Sequence, residues 1–465
     1  MIARRLMLWI MVTAGVWATV PQSIANMMAA NKIDPARVSI VIREVKSGKV
    51  LASQSPNQQR TPASVMKLLT TYSALLDLGT GFRWPTKLYY TGSFSRGVIH
   101  GDLVVEAFGD PTLSSRDLFR IAKRLRRLGV RHITGNVLVD LSFFGTKDRV
   151  SSGFDRNRYS EYNAMPDALM LDDHLSRIVV QPHGGTITAH KGIEGDAYTL
   201  VNRLTPTSES CKGSRSWPRV QIDHLGKRPR VILSGTLSTH CPRRVVSKVL
   251  THPHESFYYA FRSALKRAGV RLDGAWALKR LPRSARALMI HRSRSLLQII
   301  AKTNKKSNNL YARHIFLLLG AQREGAPATE AKGAKAVRSI LSARGLWSDR
   351  IRINNGCGLS RHSYVTANVL VNLLQDAYKK FGTRWMHALA VAGKDGTIHR
   401  RFRHSIAKGR AWMKTGTLNN AKNIAGYVRG KSGKLYVMAV LYNGREHWKG
   451  STLQNQIIEW LVRYK

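Results

Sequence analysis

Ser64 and Lys67 stand three residues apart in Thr61-Pro62-Ala63-Ser64-Val65-Met66-Lys67, at the head of a strongly apolar segment. On a helix that spacing puts a hydroxyl and an amine on one face, a turn apart. A serine becomes a nucleophile when a base takes its proton, and a desolvated lysine can be that base. Two later groups supply what such a pair needs. Ser307-Asn308-Asn309 precedes the helical pattern Leu310-Tyr311-Ala312-Arg313, and Lys414-Thr415-Gly416-Thr417 follows Ala411-Trp412-Met413 in a strand pattern. Together they suit acyl transfer. Ser64 attacks an amide carbonyl and neutral Lys67 takes the proton; burial and nearby cations, Lys414 among them, lower the pKa of Lys67 toward the working range. Ser307 relays a proton toward the leaving amine, while Asn309 holds Lys67 and the substrate backbone. Lys414 offers fixed positive charge to a substrate carboxylate, with the Thr415 or Thr417 hydroxyl beside it. Gly416 lets the substrate approach the strand closely. The backbone N–H groups of Ser64 and Thr417 are candidates for an oxyanion hole.

The elements that must position these groups show as periodicities. Residues 38–42 and 50–52 alternate around the turn Lys46-Ser47-Gly48-Lys49, which predicts paired strands. A buried helix is expected from an N-cap at Thr61, with Pro62 at its first position, through Leu68, Tyr72 and Leu75 to Gly79. Residues 84–281 change character. Short strand patterns recur at 87–91, 103–108, 135–140, 177–181, 219–222 and 230–237, with one amphipathic helix over 115–128. Helical periodicity returns at 296–302, 308–319, 330–344 and 367–381. Strands follow at 411–416, 424–429 and 435–442, then a final helix from Leu453. The pattern predicts an α+β fold. An antiparallel sheet flanked by helices, with a helical cluster, spans 26–85 plus 285–465, and a large β-rich insertion at 86–284 interrupts it.

Composition narrows the setting. At 465 residues the chain has room for two or more domains. Arg4 and Arg5 precede an apolar run over 6–20, then Pro21 and the small residues around Ser23-Ile24-Ala25. This reads as a signal peptide over 1–25, so the body of the protein is expected to be exported. Export permits a disulfide. Cys211 and Cys241 bracket a stretch rich in Gly and Pro and are expected to pair, leaving Cys357 as a small packing residue. The formal net charge is +48, a field that favours polyanions. The basic residues are spread along the chain, without zinc-finger spacing or an RNP-type aromatic motif. Anionic envelope polymers are therefore expected partners rather than nucleic acid. His314 and His387 lack metal-ligand spacing, and Asp110 and Asp140 read as turn residues.

The order Ser-x-x-Lys, Ser-x-Asn, Lys-Thr-Gly resembles the motif set of penicillin-interacting acyl-transfer enzymes. The likeness extends to Gly109-Asp110-Pro111-Thr112-Leu113, to Gly135-Asn136-Val137-Leu138-Val139-Asp140 with Phe143-Phe144, and to the segment from Tyr162-Asn163-Ala164 to Leu169. Gly393-Lys394-Asp395-Gly396-Thr397 and Ala425-Gly426-Tyr427-Val428 add to it. On these residues the chain is similar to the class C low-molecular-mass penicillin-binding proteins, the D-alanyl-D-alanine carboxypeptidase/endopeptidase family S13. The resemblance implies a transpeptidase/β-lactamase-like domain whose insertion forms one domain with another nested in it. It implies hydrolysis through an acyl-enzyme, of the terminal D-Ala of peptidoglycan stems or of D-Ala–diaminopimelate cross-links. It also implies covalent inhibition by β-lactam antibiotics, and neither metal nor organic cofactor.

Two positions depart from that family. Asn308 stands where Asp is usual, and Asn355-Gly356-Cys357-Gly358-Leu359-Ser360 replaces Asp-Gly-Ser-Gly-Leu-Ser. Each change removes a carboxylate, yet Ser64, Lys67, Ser307, Asn309, Lys414 and Thr415 remain, so activity is expected. The same triplet also occurs in serine β-lactamases and esterases, against which the long insertion argues. A weakly active scaffold held to the cell wall by charge is the non-enzymatic alternative.

Overall fold

The computed structural model describes residues 20–464, except 146–149, 193–196 and 224–227. Its central feature is a six-stranded antiparallel sheet in the order Ala390–Val391, Ala411–Leu418, Ala421–Arg429, Leu435–Tyr442, Val38–Glu44, Val50–Gln54. The first and last parts of the chain thus meet in mid-sheet, with Val38 opposite Tyr442 and Glu44 opposite Tyr436. Along Leu435–Tyr442 the side chains alternate between two cores. Val437, Ala439 and Leu441 join one core with residues of the helices Lys67–Leu78, Asn309–Glu324, Glu330–Ser342 and Ala367–Phe381. Tyr436, Met438, Val440 and Tyr442 join the other, with the helices Gln22–Ala30 and His447–Tyr464. Period-two alternation is what a pleated strand imposes; here both faces are covered, so every alternate position is apolar.

The helix Lys67–Leu78 is buried at every position from Lys67 to Leu75, as a helix apolar nearly all round requires. Its start differs from the expectation. Ala63–Met66 is a 3₁₀ turn and the α-helix begins only at Lys67. Thr61 does not cap it. The Thr61 N–H donates to Asn443 Oδ1 (2.8 Å), and its carbonyl accepts from Asn423 Nδ2 (2.8 Å). Those two asparagines, on the sheet side, take up the groups a cap would use, and Ala63 turns left-handed at φ 48°. Ser64 therefore sits in a tight turn wedged between sheet and helix.

The inserted region begins and ends in one strand pair, Pro85–Tyr90 with Arg286–Arg292. It therefore extends past residue 284, because Arg286–Arg292 completes its five-stranded sheet. Two helices cover that region rather than one. Ser115–Arg127 carries a capping box between Ser114 and Asp117. Pro253–Arg267, absent from the expectation, buries Phe257, Phe261 and Leu265 in the same core. Its signals were a Pro at the first turn and Glu255 beside it. Within the insertion, two three-stranded sheets form a separate core around Ile178, Val180, Val231 and Leu233. Cys211 and Cys241 are joined there by a disulfide, and Cys357 is free and buried elsewhere.

Residues 1–19, most of the expected signal peptide, lie outside the described residues. Its expected end at residue 25 falls inside the helix Gln22–Ala30, whose Ile24 and Met28 are buried in the core beside the final helix. That final helix starts at His447, ahead of Leu453; the apolar period begins only at Leu453, since Trp448 in the first turn is exposed.

Candidate active site

Lys67 is wholly buried and its Nζ has three acceptors: Ser64 Oγ at 2.8 Å, Asn309 Oδ1 at 2.7 Å and the Cys357 carbonyl at 2.7 Å. None is a carboxylate. An amine in this cage can lose a proton without losing its place. Two N–H groups still reach Asn309 and Cys357, and the lone pair turns to the Ser64 hydroxyl. Burial brings the Lys67 amine down to about 8. The Cys357 side chain opposes that shift, and the buried Arg313 cation reinforces it. Arg313 is thus a neighbouring cation that acts on Lys67, and Lys67 and Lys414 also act on one another.

Lys414 lies on the strand Ala411–Leu418 and is also fully buried. Its Nζ donates to Ser307 Oγ (2.8 Å) and to the Thr415 carbonyl (2.7 Å). Burial first, then the charge on Lys67, holds its pKa well below the usual lysine range. A substrate carboxylate arriving beside it would restore the ammonium form, since an opposite charge in low dielectric favours it. The Thr415 hydroxyl donates to Thr397 Oγ1 at 2.7 Å. Ala390–Val391 pairs only with Trp412 and Met413, so beyond Met413 the strand has an open edge on that side. An open edge offers main-chain groups to an extended peptide.

Ser307 ends the helix Leu296–Lys306 in a left-handed conformation, φ 56° and ψ 35°. Non-glycine residues hold that conformation only where surrounding structure enforces it. Asn308 then caps the next helix, its side chain accepting from the Tyr311 N–H at 2.9 Å. Asparagine and aspartate are equivalent N-caps, so the missing carboxylate at 308 leaves the motif's backbone intact. Asn309 reaches Lys67 with its oxygen and gives its Nδ2 to the Tyr162 carbonyl at 3.0 Å, which ties the insertion to the site.

Gly416 packs directly against the turn that carries Ser64. A Cβ there would lie 2.7 Å from the Pro62 carbonyl oxygen and 3.0 Å from the nitrogens of Ser64 and Val65. The absent side chain makes room for the Ser64 turn. Gly358, at φ 82°, approaches the same turn from the other side; a Cβ would meet the Ala63 oxygen at 1.9 Å. Asn355 shapes this second loop. Its Oδ1 accepts the N–H groups of Cys357 and Gly358 (3.2 Å each), and its Nδ2 donates to the Leu359 carbonyl (2.8 Å).

The structure therefore brings Ser64, Lys67, Ser307, Asn309, Lys414, Thr415, Gly416 and Thr417 to one place from three separate segments. It keeps Cys211 and Cys241 in the insertion, and it holds His314 in the core on the Gly109 carbonyl (2.9 Å). Asp110 and Asp140 are structural residues, Asp140 at the end of the strand Val137–Asp140, accepting from the N–H groups of Thr112 and Ser142 (2.8 Å each).

Residues 20–464 match the model of the D-Ala-D-Ala carboxypeptidase 3 (S13) family. The chain belongs to that family. Among curated relatives it is 27% identical to a D-alanyl-D-alanine carboxypeptidase of an Actinomadura species, over 93% of this chain and 82% of that protein. It is 24% identical to the D-alanyl-D-alanine carboxypeptidase DacB of Haemophilus influenzae, over 88% and 86%. Its fold matches the crystal structure of penicillin binding protein 4 (dacB) from Haemophilus influenzae with a TM-score of 0.79, at 21% identity, covering 95% and 99% of the two chains. A predatory peptidoglycan endopeptidase from Bdellovibrio bacteriovorus shares the fold more distantly, with a TM-score of 0.52 at 17% identity, over 91% and 92%. The S13 chain is thus a serine-type D-Ala-D-Ala carboxypeptidase by family, on an α+β penicillin-recognising fold.

Sequence reasoning missed the contributions made by this S13 chain's backbone. The Cys357 and Tyr162 carbonyls touch Lys67 and Asn309, and no residue type announces a carbonyl. Asn423 and Thr397 were also missed. The segments containing Tyr162 and Thr397 carried the family likeness, which was the available signal.

Proposed function

We propose that this chain is an exported serine D,D-peptidase that acylates Ser64 with peptidoglycan stem peptides and reacts covalently with β-lactams. The observation that carries this is the caged Lys67 amine, buried without a carboxylate and 2.8 Å from Ser64 Oγ. In acylation, Ser64 Oγ bonds to the penultimate D-Ala carbonyl carbon as its proton passes to Lys67. The backbone N–H groups of Ser64 and Thr417 receive the oxyanion, an interaction whose loss typically reduces rate by ~10²–10³. The peptide C–N bond then breaks, with Ser307 giving its proton to the leaving amine and regaining one from the protonated lysines. Water repeats the sequence on the ester, releasing the shortened stem and restoring Ser64. Lys414, with the Thr415 and Thr417 hydroxyls, holds the leaving residue's carboxylate, as a fixed charge in a dry site can. The same centre acts on a terminal D-Ala or on a D-Ala–diaminopimelate bond, whose amine also has a carboxylate beside it.

Labelling with a fluorescent penicillin followed by peptide mapping tests this. The expected result is a persistent adduct on Ser64, absent in Ser64→Ala. Stem pentapeptide should release D-alanine, and Lys67→Ala should not. Fast penicillin turnover without an adduct, or no D-alanine from the wild type, would overturn it.

A further inference from the structure

Arg313 lies on the helix Asn309–Glu324, one turn beyond Asn309, and is only 4% exposed. A guanidinium stays charged at every working pH, so burial leaves both its donors and its charge to be answered. One nitrogen is served. Nη1 donates to the Ala164 carbonyl (3.3 Å) and to the Met165 sulfur (2.9 Å), a weak acceptor. Nε is buried without a partner. Among the described residues Nη2 has no acceptor either, and Arg313 has no carboxylate partner.

Nε and Nη2 form one side of the guanidinium fork, which takes a carboxylate through two parallel hydrogen bonds. This protein uses that side elsewhere. Arg344 holds the two oxygens of Asp376 through Nε (2.7 Å) and Nη2 (2.6 Å). Arg323 turns the same two nitrogens to Asp77. Arg313 instead lines a cavity of about 250 Å³. Asn354, Asn355 and Ser360 give its walls neutral polar groups, and its one acid is the exposed Glu330. Asn355 is one of the two positions where a family carboxylate is missing, so the deficit of negative charge is local. The cavity shares no lining residue with the one that Ser307, Asn309 and Tyr162 border. It is a separate opening.

We propose that this cavity binds a small carboxylate on the Nε–Nη2 fork of Arg313, and that the bound anion slows acylation of Ser64. The link runs through one helix face. Arg313 stands four residues after Asn309, and Asn309 holds the Lys67 amine. The Arg313 cation helps to keep that amine unprotonated. An anion that neutralises Arg313 removes this help and favours the protonated lysine. Binding follows from the surroundings of Arg313 alone; the effect on acylation rests on the reading of Lys67 as the base.

The test titrates sodium acetate and D-alanine into the full-length protein by calorimetry, each against sodium chloride of equal ionic strength. Acetate has few atoms, which puts its Kd in about the millimolar range. Lysine keeps the charge but lacks the fork, so Arg313→Lys should weaken acetate at least about tenfold. Asn354→Asp, which adds a like charge to the wall, should weaken it about threefold, and Glu330→Gln should bind at least as tightly as wild type. All three variants retain Lys414, so acetate held there would show none of these changes. Acetate binding alone supports a simple acid as the ligand; equal binding of D-alanine supports a free amino acid. Saturating acetate should slow penicillin labelling of the wild type at pH 7 about two- to threefold, and that of Arg313→Lys not at all. No binding, binding unchanged in Arg313→Lys and Asn354→Asp, or bound acetate that leaves wild-type labelling unchanged would overturn the proposal. Acetate binding in a wild type that penicillin never labels would instead defeat the peptidase reading and leave the carboxylate site standing.

Discussion

The Lys67 amine donates to the main-chain carbonyl of Cys357 at 2.7 Å, across 290 residues of sequence. A carbonyl orients an amine without the full negative charge that would keep it protonated. Asn355 holds that carbonyl's loop in place with a neutral side chain. Asn355→Asp should keep the two bonds accepted from Cys357 and Gly358, lose the one donated to the Leu359 carbonyl, and add a charge near the amine, raising its pKa. The rising limb of penicillin acylation against pH is expected to move above about 8, with a slower rate at pH 7. A limb that stays in place would show that the loop acts by shape alone.

The same shift makes stability depend on pH. The folded pKa of Lys67, about 8, lies below the ordinary 10.5, so between these values the unfolded chain binds a proton that the folded chain does not. Stability then rises with pH across this window, and below about 8 the full penalty is present. The gap of about 2.5 units corresponds to roughly 3 kcal/mol. Denaturation of wild type and Lys67→Met from pH 7 to 10 should show the wild type gaining relative to the variant as pH rises. A constant difference would contradict the buried, proton-poor lysine.

Gly416→Ala tests the contact between strand and nucleophile turn. The new methyl would press on backbone atoms at 2.7–3.0 Å, which cannot swing away. Overpacking of this kind costs about 1–3 kcal/mol, and displacement of Ser64 should slow acylation by at least about tenfold. Thermal melting and the rate of penicillin labelling measure the two effects, and normal labelling would show that the turn has room to move.

A mature N-terminus is expected ahead of Ile24 rather than after residue 25. Ile24 is fully buried with Met28 against the final helix, so trimming to residue 26 would remove a core side chain. N-terminal sequencing of secreted protein checks the boundary. Ile24→Asp should lower stability by several kcal/mol, because an unpaired carboxylate would be buried.

Much of this was legible because apolar spacing reports burial directly. Residues 435–442 alternate between two cores, and residues 67–75 carry apolar side chains on nearly every face, so both elements were predictable. The helix Pro253–Arg267 was not, because its aromatic residues also suit a strand and its neighbours read as strands. The start at Ser64 was misread for another reason. Pro62 following Thr61 is a good local helix signal, but Asn423 and Asn443, distant in sequence, compete for the same backbone groups. The site's side chains could be named from type and order. Its carbonyl contacts, and the reason for Gly416, depend on tertiary approach that one-dimensional spacing does not encode.

The pairing of Val38–Glu44 with Leu435–Tyr442 also sets an order of events during synthesis. The inserted region closes on itself through Pro85–Tyr90 and Arg286–Arg292, so it can fold while the rest is still being made. The sheet that carries Lys414 cannot close until residue 442 has emerged, because non-local pairing waits for its partner strand. Ser64 is thus translated early, while the sheet that must close beside it is completed last.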